Sequence, residues 1–405
     1  MAPAGSFEAL RAAIAAGADS VYFGVGELNM RSRSAANFSP GDLRRIVEVA
    51  HKAGRKAYLT LNTIIYDGQL AAMRRLVDRA VAAGVDAVIA SDQAAILCAR
   101  ERGLRVHVST QLNVSNFETL RFYSQWADVA VLARELSLDQ VGAIARQIRR
   151  HDVRGPGGER VRIEMFAHGA MCMAISGKCY LSLHDCGESA NCGACRQICR
   201  RSYTLTDQQT GAQIDAEGQY LLSPKDLCTI DFLDRFIGAG VTVLKIEGRA
   251  RSGEYVKRVV ECYDQALVAL EGGIYTPEFA AGLRGRLEEV FNRGFWGGYY
   301  LGAPAVELSQ RYGSSATRRK VYVGKVVNFF HRVGVAEVAV EAAPLEEGSE
   351  IIFTGATTGV AEAKADGIMV GERPAASALQ GERCSLKVAV PVRRGDKLFK
   401  VVNDR

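Results

Sequence analysis

The chain has 405 residues, 48% hydrophobic and 24% charged, with a formal net charge of +6. Such a length suits a barrel of roughly 250 residues plus a second module, and the composition is that of an ordinary globular protein able to bury a full core. No apolar run approaches the ~18 residues of a membrane span and MAPAGSFEAL lacks the apolar core of a signal peptide, so a reducing cytoplasm is the expected compartment and no membrane partner is expected. The mildly positive balance is compatible with a polyanionic partner without establishing one.

From residue 5 to about 270, short β-branched runs alternate with amphipathic stretches. Only Met1 and Ala2 precede Pro3, so a first strand is expected to be short or missing. In chain order the pattern then predicts a helix over Phe7–Ala16, a strand over Val21–Val25, a helix over Pro40–Ala53, a strand over Lys56–Asn62 and a helix over Ala71–Ala83. Strands are expected at Ala87–Ser91, Val106–Gln111, Val129–Arg134, Arg162–His168 and Val243–Glu247, with a weaker one at Tyr220–Ser223. Several helical stretches end in Ala-Gly, at Gly17, Gly54, Gly84 and Gly240, where glycine can take the left-handed cap that stops a helix before the next strand. Repeated strand–helix–glycine units imply a parallel α/β fold, and seven or eight of them imply a (β/α)8-type barrel over residues 1–300. A doubly wound open sheet is the alternative, but no G-x-G-x-x-G follows a strand. Polar residues such as Asn62, Gln111, His168, Glu247 and Arg249 stand where strands finish, the end at which barrels gather their chemistry.

Helices Ser252–Glu271 and Pro277–Asn292 and a Gly/aromatic hinge, Gly294–Gly302, complete this region. Residues 301–320 read as a linker. From 321 to 405 short alternating segments separated by turn signals predict a small all-β C-terminal domain, a small β-barrel.

The outlier is the stretch after His168, an insertion over about 169–220, far longer than the ~2–6 residues of an ordinary βα loop. Six of the chain's ten cysteines lie in it: Cys172, Cys179, Cys186, Cys192, Cys195 and Cys199. In a reducing compartment crowded cysteines are metal ligands or redox groups before they are disulfides. Zinc sites favour two separate C-x2-4-C pairs, whereas Cys192, Cys195 and Cys199 form a triplet. Thiolates from a long loop suit an iron–sulfur cluster equally well, so spacing alone leaves zinc, a cluster and redox cysteines open. For Cys98, Cys262 and Cys384 packing is the expected role.

The segment from Glu164 through Cys172, Gly177 and Cys179 to Ser182 resembles the signature of peptidase family U32. PAGSFEALRAAIAAGADSVYFG, VSTQLNVSN, LLSPKDLC, LKIEGRARS and NRGFWGGYY are similar to further motifs of that family, in the same order. The resemblance implies one of two activities, a collagenase-type peptidase or an oxygen-independent hydroxylase with a [4Fe–4S] cluster and prephenate as oxygen donor. Hydroxylases of this group act on a wobble uridine of tRNA, on a cytidine of large-subunit rRNA, or on a ubiquinone precursor. The C-x6-C-x15-C-x3-C spacing of the tRNA branch falls on Cys172, Cys179, Cys195 and Cys199, which makes tRNA wobble uridine C5 hydroxylation the expected activity. Cys228, Cys192 and Cys186 are alternates to that set, and a partner protein or homo-oligomer is compatible with it.

Prephenate is a dianion that needs cationic hydrogen-bond forks, for which Arg31, Arg33, Lys245 and Arg249 are the candidates. Asn62 and Gln111 are expected to bind substrate, and His168 and Glu247 to act in proton transfer, His168 alternatively as an anchor for the cysteine loop. Two basic clusters, Arg196, Arg200 and Arg201 in the cysteine segment and Arg318, Arg319 and Lys320 farther along, read equally as RNA phosphate contacts or as solvated surface charge. Against a peptidase, the chain has no H-E-x-x-H and no G-x-S-x-G. A non-enzymatic RNA-binding protein with a structural metal site is a further alternative.

Overall fold

The computed structural model describes residues 1–33, 37–214, 220–303 and 305–404. Residues 215–219 of the expected insertion, residue 304 of the expected linker and residue 405 of the expected C-terminal domain lie outside the described residues.

Strands β1 (Ala2–Ala4), β2 (Ser20–Phe23), β3 (Lys56–Leu61), β4 (Ala87–Ala90), β5 (Arg105–Val108), β6 (Val129–Val131) and β7 (Arg162–Gly169) lie side by side, all parallel and in chain order. They are buried almost throughout, as parallel strands covered by helices must be. The crossovers are α1 (Phe7–Ala15), α2 (Leu43–Lys52), α3 (Leu70–Ala83), α4 (Gln93–Glu101), α5 (Phe117–Tyr123) and α6 (Leu138–Arg150). Local chemistry sets their ends. The Ser6 hydroxyl accepts the Ala9 N–H at the start of α1, Ser137 and Gln140 form a capping box on α6, and α3 stops at Gly84 with φ 77°.

The cysteine-rich insertion follows, with a short helix α7 (Leu181–Cys186) and a hairpin of β8 (Leu205–Thr206) and β9 (Gln213–Ile214). Next come β10 (Asp226–Cys228), antiparallel to the last residues of β7, α8 (Leu233–Gly238) and β11 (Val243–Ile246), parallel to β7. Two helices, α9 (Gly253–Glu271) and α10 (Pro277–Glu288), precede β12 (Phe295–Trp296), which pairs with β10. The expected first strand is present, three residues long. The Ile246 N–H donates to the Met1 carbonyl at 3.1 Å and the Met1 amino group to the Leu244 carbonyl at 2.7 Å, tying the first residue to β11.

Two expectations need correction. Tyr220–Ser223 is a turn closed by Ser223 N to Tyr220 O at 2.8 Å, and the residue after it, Pro224, makes only an isolated bridge, to Leu308. The strand in that region is β10. The helix expected to reach Asn292 ends at Glu288, where Asn292 folds back to bond the Glu288 and Val290 carbonyls.

The segment after residue 304 packs on the insertion's end, with a Pro224–Leu308 bridge and Ser309 N to Ser223 O at 2.8 Å. The C-terminal module then begins with the strand Arg318–Phe330. It is an eight-stranded antiparallel sheet with its own core, including Val323, Val338, Phe353, Leu386 and Leu398. Arg318, Arg319 and Lys320 are not a free phosphate-binding run. Arg318 pairs with Glu289 and Glu350, Lys320 with Glu254 at 2.8 Å and Arg319 with Asp404 at 3.3 Å, so two of the three bolt the module to α9 and the residues after α10. No helix among the described residues is long and apolar enough to cross a membrane.

Candidate functional site

The C-terminal ends of β2, β3, β5, β6, β7 and β11 and the cysteine-rich loop enclose one cavity of about 170 Å³. Strand residues Tyr22, Thr60, Phe166 and Lys245 form its floor, and Asn62, Gln111, Arg134 and the run Glu247–Arg251 its rim. The loop is seated closely on these ends. A side chain at Gly169, where the loop leaves β7 with φ 109°, would collide with the Glu247 carbonyl, and one at Gly193 with the Asn29 carbonyl.

Four loop cysteines line this cavity: Cys172, Cys179, Cys195 and Cys199. All are free thiols. Burial raises the Cys199 thiol against the lowering effect of Arg200, and its neighbours Cys172, Cys195 and Cys179 raise it further. Cys179 is likewise raised by burial and by Cys172 and Cys195. Cys186 and Cys192 stand apart, the first bonded to the Ser182 carbonyl at 3.0 Å, the second 4.0 Å from the Tyr66 hydroxyl. Cys228 is buried on β10, its thiol pushed up to about 12 by burial. As they stand, no three His, Cys, Asp or Glu side chains among the described residues are gathered closely enough to hold a metal ion. The donor set nonetheless suits a thiolate-ligated group, since four unpaired thiols face one enclosed space.

The walls are cationic. Arg31, Arg134, Arg200, Lys245, Arg249 and Arg251 line the cavity, with Glu247 the one carboxylate among them. Arg31 Nη2 lies 3.1 Å from Glu247 Oε1, and the Tyr22 hydroxyl 3.3 Å from Oε2. Burial would raise the Glu247 pKa, but Arg31, Arg249 and Arg134 outweigh it and hold the carboxyl at about 2. Beneath, Lys245 Nζ donates to Glu164 at 2.6 Å, and Glu164, held at about 2 by Lys245 and His107 against its burial, lies 3.3 Å from His107 Nδ1. Arg249 is 5% exposed and donates to Asn29 and Thr60 at 3.0 and 2.8 Å, and burial lowers its pKa to about 10. The guanidinium of Arg134 stacks 3.8 Å from the Phe166 ring centre. Buried and without a hydrogen-bond partner among the described residues are Arg249 Nε, Arg134 Nε and Thr110 Oγ1. A buried donor left unpaired is costly, and these side chains, which belong to cavity-lining residues, are the ones that would turn to pair with an anion there.

Of the residues singled out from sequence, Arg31, Asn62, Gln111, Lys245, Glu247, Arg249 and the four cysteines converge here. Asn62 accepts from Met30 N at 3.2 Å and donates to Ser109 and Gln111, so its amide braces the rim. Arg33 does not join them. It turns outward, 60% exposed, 3.8 Å from Glu188. His168 lies behind the wall, 1% exposed among the rings of Tyr255, Tyr263 and Phe295. Burial, with help from Arg251, lowers its pKa to about 3, so the imidazole is neutral near pH 7. The sequence reading missed Arg134, Arg251 and Thr110, and took Arg200 for a surface charge or RNA contact rather than a cavity wall. A cue existed for two of them, since Arg134 and Thr110 sit at predicted strand ends.

A model of peptidase family U32 matches residues 5–310. Among curated relatives, a "Collagenase" of Porphyromonas gingivalis is 54% identical over 99% of this chain and 97% of its own length. The "23S rRNA 5-hydroxycytidine C2501 synthase" of Escherichia coli is 38% identical over 72% of this chain and 42% of its own length. The "tRNA hydroxylation protein P1" of Bacillus subtilis is 32% identical over 81% of this chain and 77% of its own length.

Proposed function

The chain belongs to peptidase family U32, and on that premise we propose that it is an oxygen-independent RNA hydroxylase, with a tRNA wobble uridine as its target. It carries a [4Fe–4S] cluster on Cys172, Cys179, Cys195 and Cys199 and takes its oxygen atom from prephenate. The observation that carries this reading is the sorting of the loop cysteines: the four at tRNA-branch spacing line the cationic cavity, while Cys186 and Cys192 do not. The parallel strands form a closed (β/α)8-type barrel in this reading, supported by the Met1 hydrogen bonds to β11.

The cluster supplies one-electron chemistry when bound. The chain's own residues bind and orient. Arg249 and Arg134 offer buried N–H donors to the carboxylates of a dianionic co-substrate. Glu247, ionised at any neutral pH, does not move a proton but holds Arg31 at the rim. Lys245 is fixed by Glu164 on the floor. The loop excludes bulk water from the floor, strengthening each of these interactions. His168, neutral and boxed by aromatic rings, is a positioning residue that supports β7 where the cysteine loop departs. A reducing, cytoplasmic setting belongs to the same reading, because exposed loop thiols persist there.

The second reading is a peptidase, favoured by the 54% identical relative named collagenase. Against it, no histidine lines the cavity among the described residues, so no Cys–His nucleophile pair is assembled there. Iron and sulfide analysis of anaerobically purified protein, run beside a gelatin-cleavage assay, separates the two. About four irons and four sulfides per chain with no gelatin cleavage supports the hydroxylase. Iron-free protein that cleaves gelatin overturns it.

A further inference from the structure

Outside the cavity just described, the cysteine loop and the segment 309–313 enclose a second cleft of about 380 Å³. Five arginines line it, Arg196, Arg200, Arg201, Arg293 and Arg311, with the ring of Tyr312 and, among the described residues, no carboxylate on the wall. Three of the five are balanced from outside: Arg196 by Glu188, Arg201 by Asp185 at 3.3 Å and Arg293 by Asp226 at 3.3 Å. Among the described residues Arg200 bonds only neutral acceptors, the Met171 and Pro224 carbonyls and the Ser223 hydroxyl, and Arg311 has no ion-pair partner. The cleft therefore carries a net positive charge focused between protein walls.

Beside these cations Tyr312 is 73% exposed, its ring centre 6.0 Å from that of Tyr220. Its backbone is not a loose tip. Tyr220 N bonds Ser309 O at 2.9 Å, Ser309 N bonds Ser223 O at 2.8 Å and the buried Ser309 hydroxyl donates to Arg311 O at 2.9 Å. On this firm support the ring is presented to solvent rather than packed into the core, with Tyr220 as its aromatic neighbour. An exposed ring next to unbalanced guanidinium groups matches single-stranded nucleic acid, whose phosphates take arginine forks while its bases stack on aromatic faces. Arg200 and Gln197 line both this cleft and the inner cavity, so a strand held outside lies one side chain from the cysteine site.

The geometry points to this cleft as the RNA-docking site, with Arg311 and Arg200 on phosphates and Tyr312 stacked on a base next to the nucleotide to be modified. This rests on the RNA reading above and adds the surface through which RNA approaches. A polyanionic protein segment would use the charge but not the ring.

The test is fluorescence anisotropy of the full-length protein with a fluorescein-labelled unmodified tRNA transcript across a potassium chloride series. Arg311→Glu and Tyr312→Ala are compared with wild type and with Tyr312→Phe, all checked for unchanged Tm and iron content. Arg311→Glu should weaken binding about tenfold at low salt and reduce the salt slope by about 0.7 per lost phosphate contact. Tyr312→Ala should weaken it roughly tenfold, and Tyr312→Phe should restore it. Wild-type affinity in both Arg311→Glu and Tyr312→Ala overturns the cleft while leaving RNA hydroxylation standing. Polyglutamate displacing the transcript as well as unlabelled RNA does overturns the nucleic-acid assignment in favour of an acidic protein partner. RNA binding lost in the variants, with no RNA gaining an oxygen in cells, upholds the cleft and removes the hydroxylase.

Discussion

Arg31 and Glu247, 216 residues apart in the chain, meet at 3.1 Å across the mouth of the cysteine-lined cavity. The pair joins the segment after β2 to the segment after β11, and it fixes a cation where the anionic co-substrate of the proposed reaction must enter. Glu247→Gln should leave Arg31 half-buried and unbalanced, costing about 2 kcal/mol of stability after allowance for its partial exposure, and raising the KM for the anionic co-substrate more than it lowers kcat. Thermal unfolding beside steady-state kinetics reads both effects.

The same carboxyl, with Glu164, sets an acid limit. Both are held at about 2 in the folded chain, below an ordinary glutamate near 4.3. The unfolded chain therefore takes up protons first as pH falls, so the stability these groups contribute is complete above roughly pH 5 and is lost between there and about pH 2. Glu247→Gln should flatten the fall in denaturant midpoint across that window. An unchanged slope would mean that Glu247 is not held ionised by its arginines.

Substituting each loop cysteine separates ligands from bystanders. Cys172→Ala, Cys179→Ala, Cys195→Ala and Cys199→Ala should each lose most of the iron and the absorbance near ~400 nm expected of such a cluster. Cys186→Ala and Cys192→Ala should retain both. Cys228→Ala should keep the iron and lose about 1–2 kcal/mol, the cost of a small cavity at a fully buried site.

Much of this site was legible in the sequence. The family resemblance, through the cysteine spacing of its tRNA branch, singled out the four cysteines that line one cavity, and the strand-end rule singled out Asn62, Gln111, Glu247 and Arg249. His168 shows where such reading stops. Phe166 faces the cavity and period-two alternation would bring His168 to the same side. Instead the pairing of β7 with β11 slips between Lys245 and Ile246, leaving Ala167 as an extra residue, and the bulge turns the imidazole toward Tyr255, Tyr263 and Phe295. Arg33 failed for a related reason, because side-chain direction in the turn after β2 depends on tertiary contacts rather than on local pattern. Arg134, Arg200 and Arg251 come from three distant segments, and only folding reveals that they share one wall. The basic run Arg318–Lys320 looked like an RNA contact until its acidic partners, tens of residues away in sequence, were in place.

His168 also yields a pH prediction. With a folded pKa near 3 against about 6.5 unfolded, the unfolded chain binds a proton that the folded chain refuses. The imidazole thus favours folding fully above pH 6.5 and progressively less toward pH 3. His168→Gln should reduce the pH dependence of stability in that interval, and the wild-type activity profile should show no ionisation near 6.5 that disappears in the variant. A kcat profile that loses such a limb in His168→Gln would make the imidazole a proton-transfer group after all.

Arg249→Lys and Arg134→Lys keep the charge but remove the buried Nε donors. Each should raise the KM for the anionic co-substrate about tenfold, the double substitution more than either alone; Arg249→Lys, which also gives up the buried bonds to Asn29 and Thr60, should lower Tm as well, and Arg134→Lys should lower it less. Isothermal titration of prephenate into the cluster-loaded protein measures this directly.

Mass spectrometry of tRNA nucleosides from a strain lacking the gene, complemented with wild type or with Cys179→Ala, reads the proposed hydroxylation itself. An RNA hydroxylase of this kind leaves one modified uridine short of a single oxygen in the deletion strain, restored with wild type and not restored with Cys179→Ala. Identical tRNA and rRNA nucleosides in all four strains, the parent included, would contradict it and remove RNA hydroxylation as the function of this cavity.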